Sequence, residues 1–310
     1  MKKSALDFEK ELVVLEEKIA ELENRNNLSP DEQKTLAELK EAHRKLFQQT
    51  YSNLTPWQKV QLARHPNRPT ASFYVKKLFT ELEEINRPLD PALICGLANF
   101  KGQKIALAFV EKGSTVREKQ EHRFGMPGPE GYAKFCQLIE VAESLRLPVI
   151  TLIDTPGAYP GIEAEEKGQA AAIAASIETM LFARVPTIAV IIGEGGSGGA
   201  MALAAADRIY VMENAYYSVI SPEGCSSILF RDEKQAPLAA TLLKLTAENL
   251  ASLGLIHGII PEPPGSAARD PDSAAEMLAG TLQKTLEELL AMEVDALLSA
   301  RHSFFLEMRF

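Results

Sequence analysis

Cysteine is scarce in this chain and badly placed for cross-linking. Cys95, Cys136 and Cys225 are odd in number and widely spaced, with no C-x-x-C pair. That argues against a disulfide framework or a zinc ribbon and reads as three small core residues. The five histidines (His43, His65, His122, His257 and His302) show no metal-ligand spacing, so no metal site is expected. The single tryptophan, Trp57, sits beside helix-start signals and reads as a packing anchor. No apolar run reaches the roughly eighteen residues of a membrane span. Met1-Lys2-Lys3-Ser4 leads into a charged helix rather than an apolar signal segment, so a cytoplasmic protein is expected. Positive charge is also in deficit. A net charge of −9 opposes general nucleic-acid binding, although a local basic site for an anionic cofactor remains compatible with it. A G-x-x-x-x-G-K-[ST] phosphate loop is missing, which excludes a nucleotide hydrolase of that kind. Low-complexity tracts and internal repeats are missing too.

What is present is an ordinary globular composition, 46% hydrophobic and 24% charged over 310 residues, enough for one large or two ordinary domains. Residues 5 to 52 read as a helical hairpin, with Leu12, Leu15, Ile19 and Leu22 at helical spacing. Ser29-Pro30-Asp31-Glu32 and Thr55-Pro56-Trp57-Gln58 each combine an N-cap hydroxyl, a proline at the first helical position and a capping-box partner. Arg64 to Pro69 is a basic turn punctuated by proline. From about residue 90 strands alternate with helices. The spacing predicts strands over 92–100, 104–110, 148–153, 186–192, 208–212, 216–220 and 255–260, with helices over 129–145 and 163–182. Thr246 reads as a further N-cap, and Ser273 with Glu276 as a capping box before a helical C-terminus. Repeated β-α-β units of this kind predict an α/β fold with mostly parallel strands and right-handed crossovers.

Gly193-Glu194-Gly195-Gly196-Ser197-Gly198-Gly199 joins the buried strand at 186–192 to a small-residue helix. Glycines there let a ligand approach bare backbone, and the first N–H groups of a helix have no internal partner. Several readings overlap on this segment. Gly193, Gly195 and Gly198 satisfy the dinucleotide pattern G-x-G-x-x-G, with Glu213 following. Gly195, Ser197 and Gly199 satisfy the nucleophile elbow G-x-S-x-G. A peptide oxyanion hole needs no side chain at all. Close helix–strand packing would also explain the glycines without any chemistry. A second loop, Asp154 to Gly161, follows the preceding strand and should lie beside the first, since ligands of open α/β sheets sit beyond the carboxyl ends of strands. Phe124 to Tyr132 and Ser218 to Cys225 are further candidate junctions. The elbow reading weakens because the downstream histidines, His257 and His302, lie in an apolar stretch and on the terminal helix. The dinucleotide reading weakens because Asp207-Arg208 ends the following helix early.

Several segments taken together resemble one family, the α subunits of bacterial acetyl-CoA carboxylase carboxyltransferase. They are Leu54 to Trp57, Leu62 to Pro66, Phe124 to Pro127, Pro129 to Tyr132, Asp154 to Gly161, Ala164 to Glu166, Gly193 to Ala200 and Tyr217 to Cys225. The resemblance implies a crotonase-like spiral of β-β-α units with an N-terminal helical hairpin and C-terminal helices. It divides the chain into a helical, subunit-docking region over 1–85 and a carboxyltransferase domain over 86–310. It implies transfer of a carboxyl group from carboxybiotin, carried by a biotin carboxyl carrier protein, to acetyl-CoA, giving malonyl-CoA for fatty acid synthesis. It also implies an α2β2 assembly in which a β subunit supplies the zinc ribbon and the acyl-CoA side, with no metal, nucleic acid or membrane partner on this chain. The oxyanion donors for the biotin ureido oxygen fall on Gly198 and Gly199. Gly195, Gly196 and Ser197 shape the turn, and Thr155, Pro156, Gly157, Ala158 and Tyr159 form the pocket wall. The chain departs from the family pattern at Val110 to Gly113, Gln120 to Arg123, Gly128, Gly265 to Ala268 and Asn86 to Asp90. Lost basic residues there leave open a divergent copy or a non-catalytic partner; a serine hydrolase using Ser197 is the remote alternative.

Overall fold

The computed structural model describes residues 5–85 and 90–308. The departure at Asn86 to Leu89, and with it the start of the expected second domain, lies outside the described residues. In chain order the elements are α1 (Lys10–Glu23), α2 (Pro30–Ser52), α3 (Pro56–Ala63), α4 (Ala71–Leu78), β1 (Thr80–Glu84), β2 (Leu93–Phe100) and β3 (Gln103–Val110). They continue with α5 (Val116–Glu121), α6 (Pro129–Leu145), β4 (Val149–Thr155), α7 (Ile162–Glu166), α8 (Gln169–Phe182), β5 (Thr187–Gly196) and α9 (Ser197–Ala204). The last are β6 (Arg208–Met212), β7 (Tyr216–Ser218), α10 (Pro222–Phe230), α11 (Ala236–Leu242), α12 (Ala247–Ser252), β8 (Gly258–Ile260), α13 (Pro271–Leu290) and α14 (Val294–Glu307).

The strands form one sheet in the order β1-β2-β3-β4-β5-β6-β8, with β7 paired to the end of β5. β1, β2 and β3 are antiparallel neighbours; every later pairing is parallel. β4 and β5 are buried along their whole length, as near-continuous apolar runs covered by helices on both faces require. The capping boxes at Ser29 and Thr55 form as expected. Thr246 caps α12.

Some expectations need correction. β1 lies inside the stretch assigned to a helical region, so the sheet begins before residue 86. The expected helix over 163–182 is interrupted at Gly168, where φ is +83°. Asp270, not Ser273, caps α13: its carboxylate accepts the Ser273 N–H at 3.0 Å. Pro271 takes the first helical position, so the cap falls on the residue before it, three positions ahead of Ser273. The strand expected over 255–260 shortens to Gly258–Ile260. Cys95 and Cys225 are buried, but Cys136 is only half-buried. The leucine stripe of α1 packs on α2, with Leu12 fully buried. Tyr51 donates to Glu9, and Arg269 donates to Tyr51 Oη at 2.8 Å and Glu16 at 2.5 Å. The hairpin is therefore fastened to its own chain.

Candidate active site

Three strand-to-helix junctions meet at one end of the sheet. Thr155 at the end of β4 lies opposite Gly195 of β5, and Gly196 lies opposite Ser218 of β7. The register shifts between Ile153 and Thr155, a bulge just before the two loops. The glycine segment is half strand and half helix: Gly193 to Gly196 complete β5, and Ser197 opens α9. The reversal falls on Ser197, whose φ of +48° is a left-handed conformation that a non-glycine residue adopts at a cost.

The two expected loops touch through glycine. A Cβ on Gly196 would lie 2.1 Å from the Pro156 carbonyl oxygen, and one on Gly199 would lie 2.6 Å from both Gly157 C and Ala158 N. Side chains at these positions would force the backbones apart. Gly198 differs: its nearest neighbour would be Ile173, at an ordinary 3.4 Å, and it is half-exposed. No side chain caps α9, so its first N–H groups are not claimed by a side chain. On the facing loop Thr155 is buried and turned inward: its hydroxyl donates to Gly157 O at 2.7 Å and accepts from Gly157 N at 3.0 Å. It stiffens the loop rather than presenting a group to a ligand. Pro156 is exposed; Gly157, Ala158 and Tyr159 are half-buried. Tyr159 N–H donates to Pro127 O at 2.9 Å, and the Arg123 guanidinium lies 4.8 Å from the Tyr159 ring centroid. The Phe124 to Pro127 segment thus buttresses the wall. Arg123 also lies where a side chain on Gly128 would reach, 2.9 Å from its Cβ position.

Beneath the loops is a charged cluster that sequence reasoning missed. Lys112 Nζ lies 2.6 Å from Asp154 Oδ1 and 2.7 Å from Glu194 Oε2. Asp154 Oδ1 also accepts the Glu194 N–H at 2.8 Å. Arg64 donates to Glu194 at 2.6 Å and to Glu223 at 2.5 Å, and Tyr216 donates to Glu194 at 2.7 Å. Burial opposes the charge of Glu194, but Lys112 and Arg64 outweigh it and hold the carboxyl down to about 2. Burial raises Asp154 despite Lys112, and the neighbouring Glu194 pushes it the same way. The sequence marks Glu194 as a glutamate inside a glycine run, but its partners Arg64, Lys112, Asp154 and Tyr216 come from four other segments.

Ser197 has the backbone of a nucleophile elbow but not its base. His257 Nδ1 accepts the Ile209 N–H at 3.0 Å, and His302 Nε2 lies 3.1 Å from Leu181 O. Burial, aided by Arg208, lowers His257 to about 4. A 430 Å³ groove of largely apolar lining, including Ser197, Met201, Tyr217, Val219 and Phe305, runs beside the turn. No group of three or more potential metal ligands occurs among the described residues. No helix among them is long and apolar enough to cross a membrane.

Comparison with known proteins gives the family and the fold. The acetyl co-enzyme A carboxylase carboxyltransferase-like family matches residues 5–309. The acetyl-coenzyme A carboxylase carboxyl transferase subunit alpha of Aquifex aeolicus is 46% identical over 98% of this chain and 95% of its own length. That of Zymomonas mobilis is 48% identical over 98% of both chains. Among solved structures, transcarboxylase 12S superposes with a TM-score of 0.56 at 20% identity, covering 69% of this chain and 42% of that one. The beta subunit of P. aeruginosa geranyl-CoA carboxylase superposes at 0.58 with 18% identity, covering 78% and 46%. These likenesses show the fold, a crotonase-like α/β architecture. The family match over residues 5–309 and 46–48% identity over nearly the whole chain agree: the chain belongs to the family of acetyl-CoA carboxylase carboxyltransferase alpha subunits.

Proposed function

We propose that the N–H groups of Gly198 and Gly199 form the anion-stabilising element of this carboxyltransferase and receive the ureido oxygen of carboxybiotin on a carrier protein. The observation that carries the reading is the start of α9, uncapped by any side chain, with Gly198 half-exposed. Donors at a helix N-terminus meet developing negative charge without titrating. Ser197, at the turn, lines an apolar groove that suits an uncharged ring, and Gly198 carries no side chain to hold such a ring off the backbone. Carboxybiotin, when bound, brings the carboxyl group that is transferred. This chain orients it. Gly195, Gly196 and Ser197 set the turn, and the 155–159 loop, stiffened by Thr155 and held by Pro127, supplies a wall that keeps its shape.

A net charge of −9 suits a division of labour in which the anionic acetyl-CoA is gripped by a β subunit. An α2β2 assembly, a zinc ribbon on the partner and a cytoplasmic setting belong to the same reading. The partner's seat is better placed at α10 than on the hairpin. The hairpin stripe is covered by α2, whereas Val219, Ile228 and Leu229 are 71%, 71% and 64% exposed beside the site.

The test is reconstitution with a cognate β subunit and carboxybiotin. The complex should form malonyl-CoA, the isolated chain should not, and Gly198→Val should lower turnover about a hundredfold or more. Turnover by the isolated chain, or an unimpaired Gly198→Val complex, overturns it.

A further inference from the structure

We propose that Lys112 is the positioning residue of this site: by bridging Asp154 and Glu194 it fixes the separation of the 155–159 wall and the 196–199 turn, and so sets where the Gly198 donors lie. The inference rests on the reading above and deepens it.

The ammonium spans three neighbouring strand ends. Lys112 follows β3, Asp154 precedes the wall on β4, and Glu194 precedes the turn on β5. Only Thr155 separates Asp154 from Pro156, and only Gly195 and Gly196 separate Glu194 from Ser197. A displacement of either carboxylate is therefore passed directly to the loop that follows it. Two glycines clear the space. A Cβ on Gly193 would lie 2.5 Å from Asp154 Oδ1, and one on Gly125, at φ +76°, would lie 2.5 Å from Lys112 Cγ. The same packing covers the lysine stem, while the ammonium, Asp154 and Glu194 line a 450 Å³ cleft together with Arg64, His65 and Pro156.

Arg64 cannot replace the bridge. It holds Glu194 together with Glu223 of α10 and with Tyr216, and makes no hydrogen bond to Asp154. Arg68, from the turn before α4, faces Asp154 but is committed to Glu262 at 2.6 Å. Without Lys112 two buried carboxylates confront each other with Arg64 on Glu194 alone, and Asp154 relieves the repulsion by taking a proton. Protonated Asp154 loses its grip on the Glu194 N–H, so the turn and the wall part together. Turnover should then become sensitive to acid at a higher pH than in the unaltered complex.

The experiment uses the reconstituted complex. Lys112→Met should still co-elute with the β subunit, lose about 30-fold or more in kcat and change KM for acetyl-CoA by less than about threefold, because misplaced donors act on the transition state. The acid limb of its kcat–pH profile should move upward. Glu194→Gln weakens the same bridge from the other side with its size kept. It should lower kcat in the same sense and serves as the readout if the lysine variant does not fold. Lys112→Met combined with Gly198→Val should lose little more than Gly198→Val alone, as groups acting through one element do. Lys112→Met and Glu194→Gln complexes with normal kcat, or an unmoved acid limb, or fully multiplicative losses in the double variant, overturn the role of Lys112 while leaving the Gly198 reading intact. Normal turnover by Gly198→Val removes both.

Discussion

Gly198 and Gly199 are adjacent and chemically identical, yet their surroundings give them different tolerances. Gly199 is pressed against Gly157 and Ala158, at 2.6 Å from a Cβ position, whereas a Cβ on Gly198 would meet only Ile173, at an ordinary 3.4 Å. Gly199→Ala should therefore destabilise the chain by about 1–3 kcal/mol, as overpacking does. Gly198→Ala should be neutral or stabilising by up to about 1 kcal/mol, as alanine is for glycine within a helix. Thermal denaturation of the two variants side by side checks the difference. His257 carries a pH effect of its own. Its folded-state value is lowered, first by burial and then by Arg208, from 6.5 to about 4. The folded chain therefore holds the ring neutral while the unfolded chain protonates it. Stability from this group is complete above about 6.5 and is lost as pH falls from there towards 4. Protonation at Nδ1 also ends the Ile209 N–H bond. His257→Asn, which keeps an acceptor but cannot titrate, should show a smaller fall in Tm between pH 7 and pH 5 than the unaltered chain.

At the scale of elements, the two surfaces that invited a docking role have separated. The hairpin of α1 and α2 closes on itself and is held at its base by Arg269, Glu16, Glu9 and Tyr51. α10 instead presents Ile228 and Leu229 to solvent. A Leu229→Asp or Ile228→Asp change removes apolar area from that face without entering the core, so the isolated chain should keep its Tm. Co-elution with the β subunit should weaken at least tenfold, which is a loss of about 1.4 kcal/mol. Undiminished association would return the docking role to the hairpin. Much at this scale was legible beforehand. α6 begins and ends where its Pro129 start and apolar period place it, and β6 matches 208–212. β1 was hidden because Thr80-Glu81-Leu82-Glu83-Glu84 carries too little apolar character to signal a strand, and its pairing to β2 supplies what the sequence pattern does not.

Across the whole molecule, the chain is closed by a side chain that no local pattern marks. Arg301 of α14 is fully buried and donates to Asp207 at 2.7 Å and to the carbonyls of Met180, Ala183 and Val185 at 2.9, 2.7 and 3.0 Å. It ties the C-terminal helix to the end of α8 and to the approach to β5, on the side of the sheet away from the glycine turn. Arg301→Met leaves Asp207 buried with its hydrogen bonds from Thr187 only. The loss should be about 3–5 kcal/mol, as for a buried pair broken on one side. Denaturant unfolding of the isolated chain measures it.

The local grammar of caps, apolar periods and glycine runs specified the alternation of strands and helices, the strand ends on which the two principal loops lie, and the family. Those features depend on residues close together in the chain, where spacing alone carries the physics. Which glycines face backbone and which face only a side chain was decided by the contact between the 155–159 and 196–199 loops. The cluster of Lys112, Asp154, Glu194 and Arg64 was decided in the same way. Its members lie up to 130 residues apart, and their attraction exists only once parallel pairing brings the ends of β3, β4 and β5 together and burial excludes water. A sequence shows that a lysine and a glutamate are present; only the folded sheet makes them neighbours in a medium where their charges must be matched.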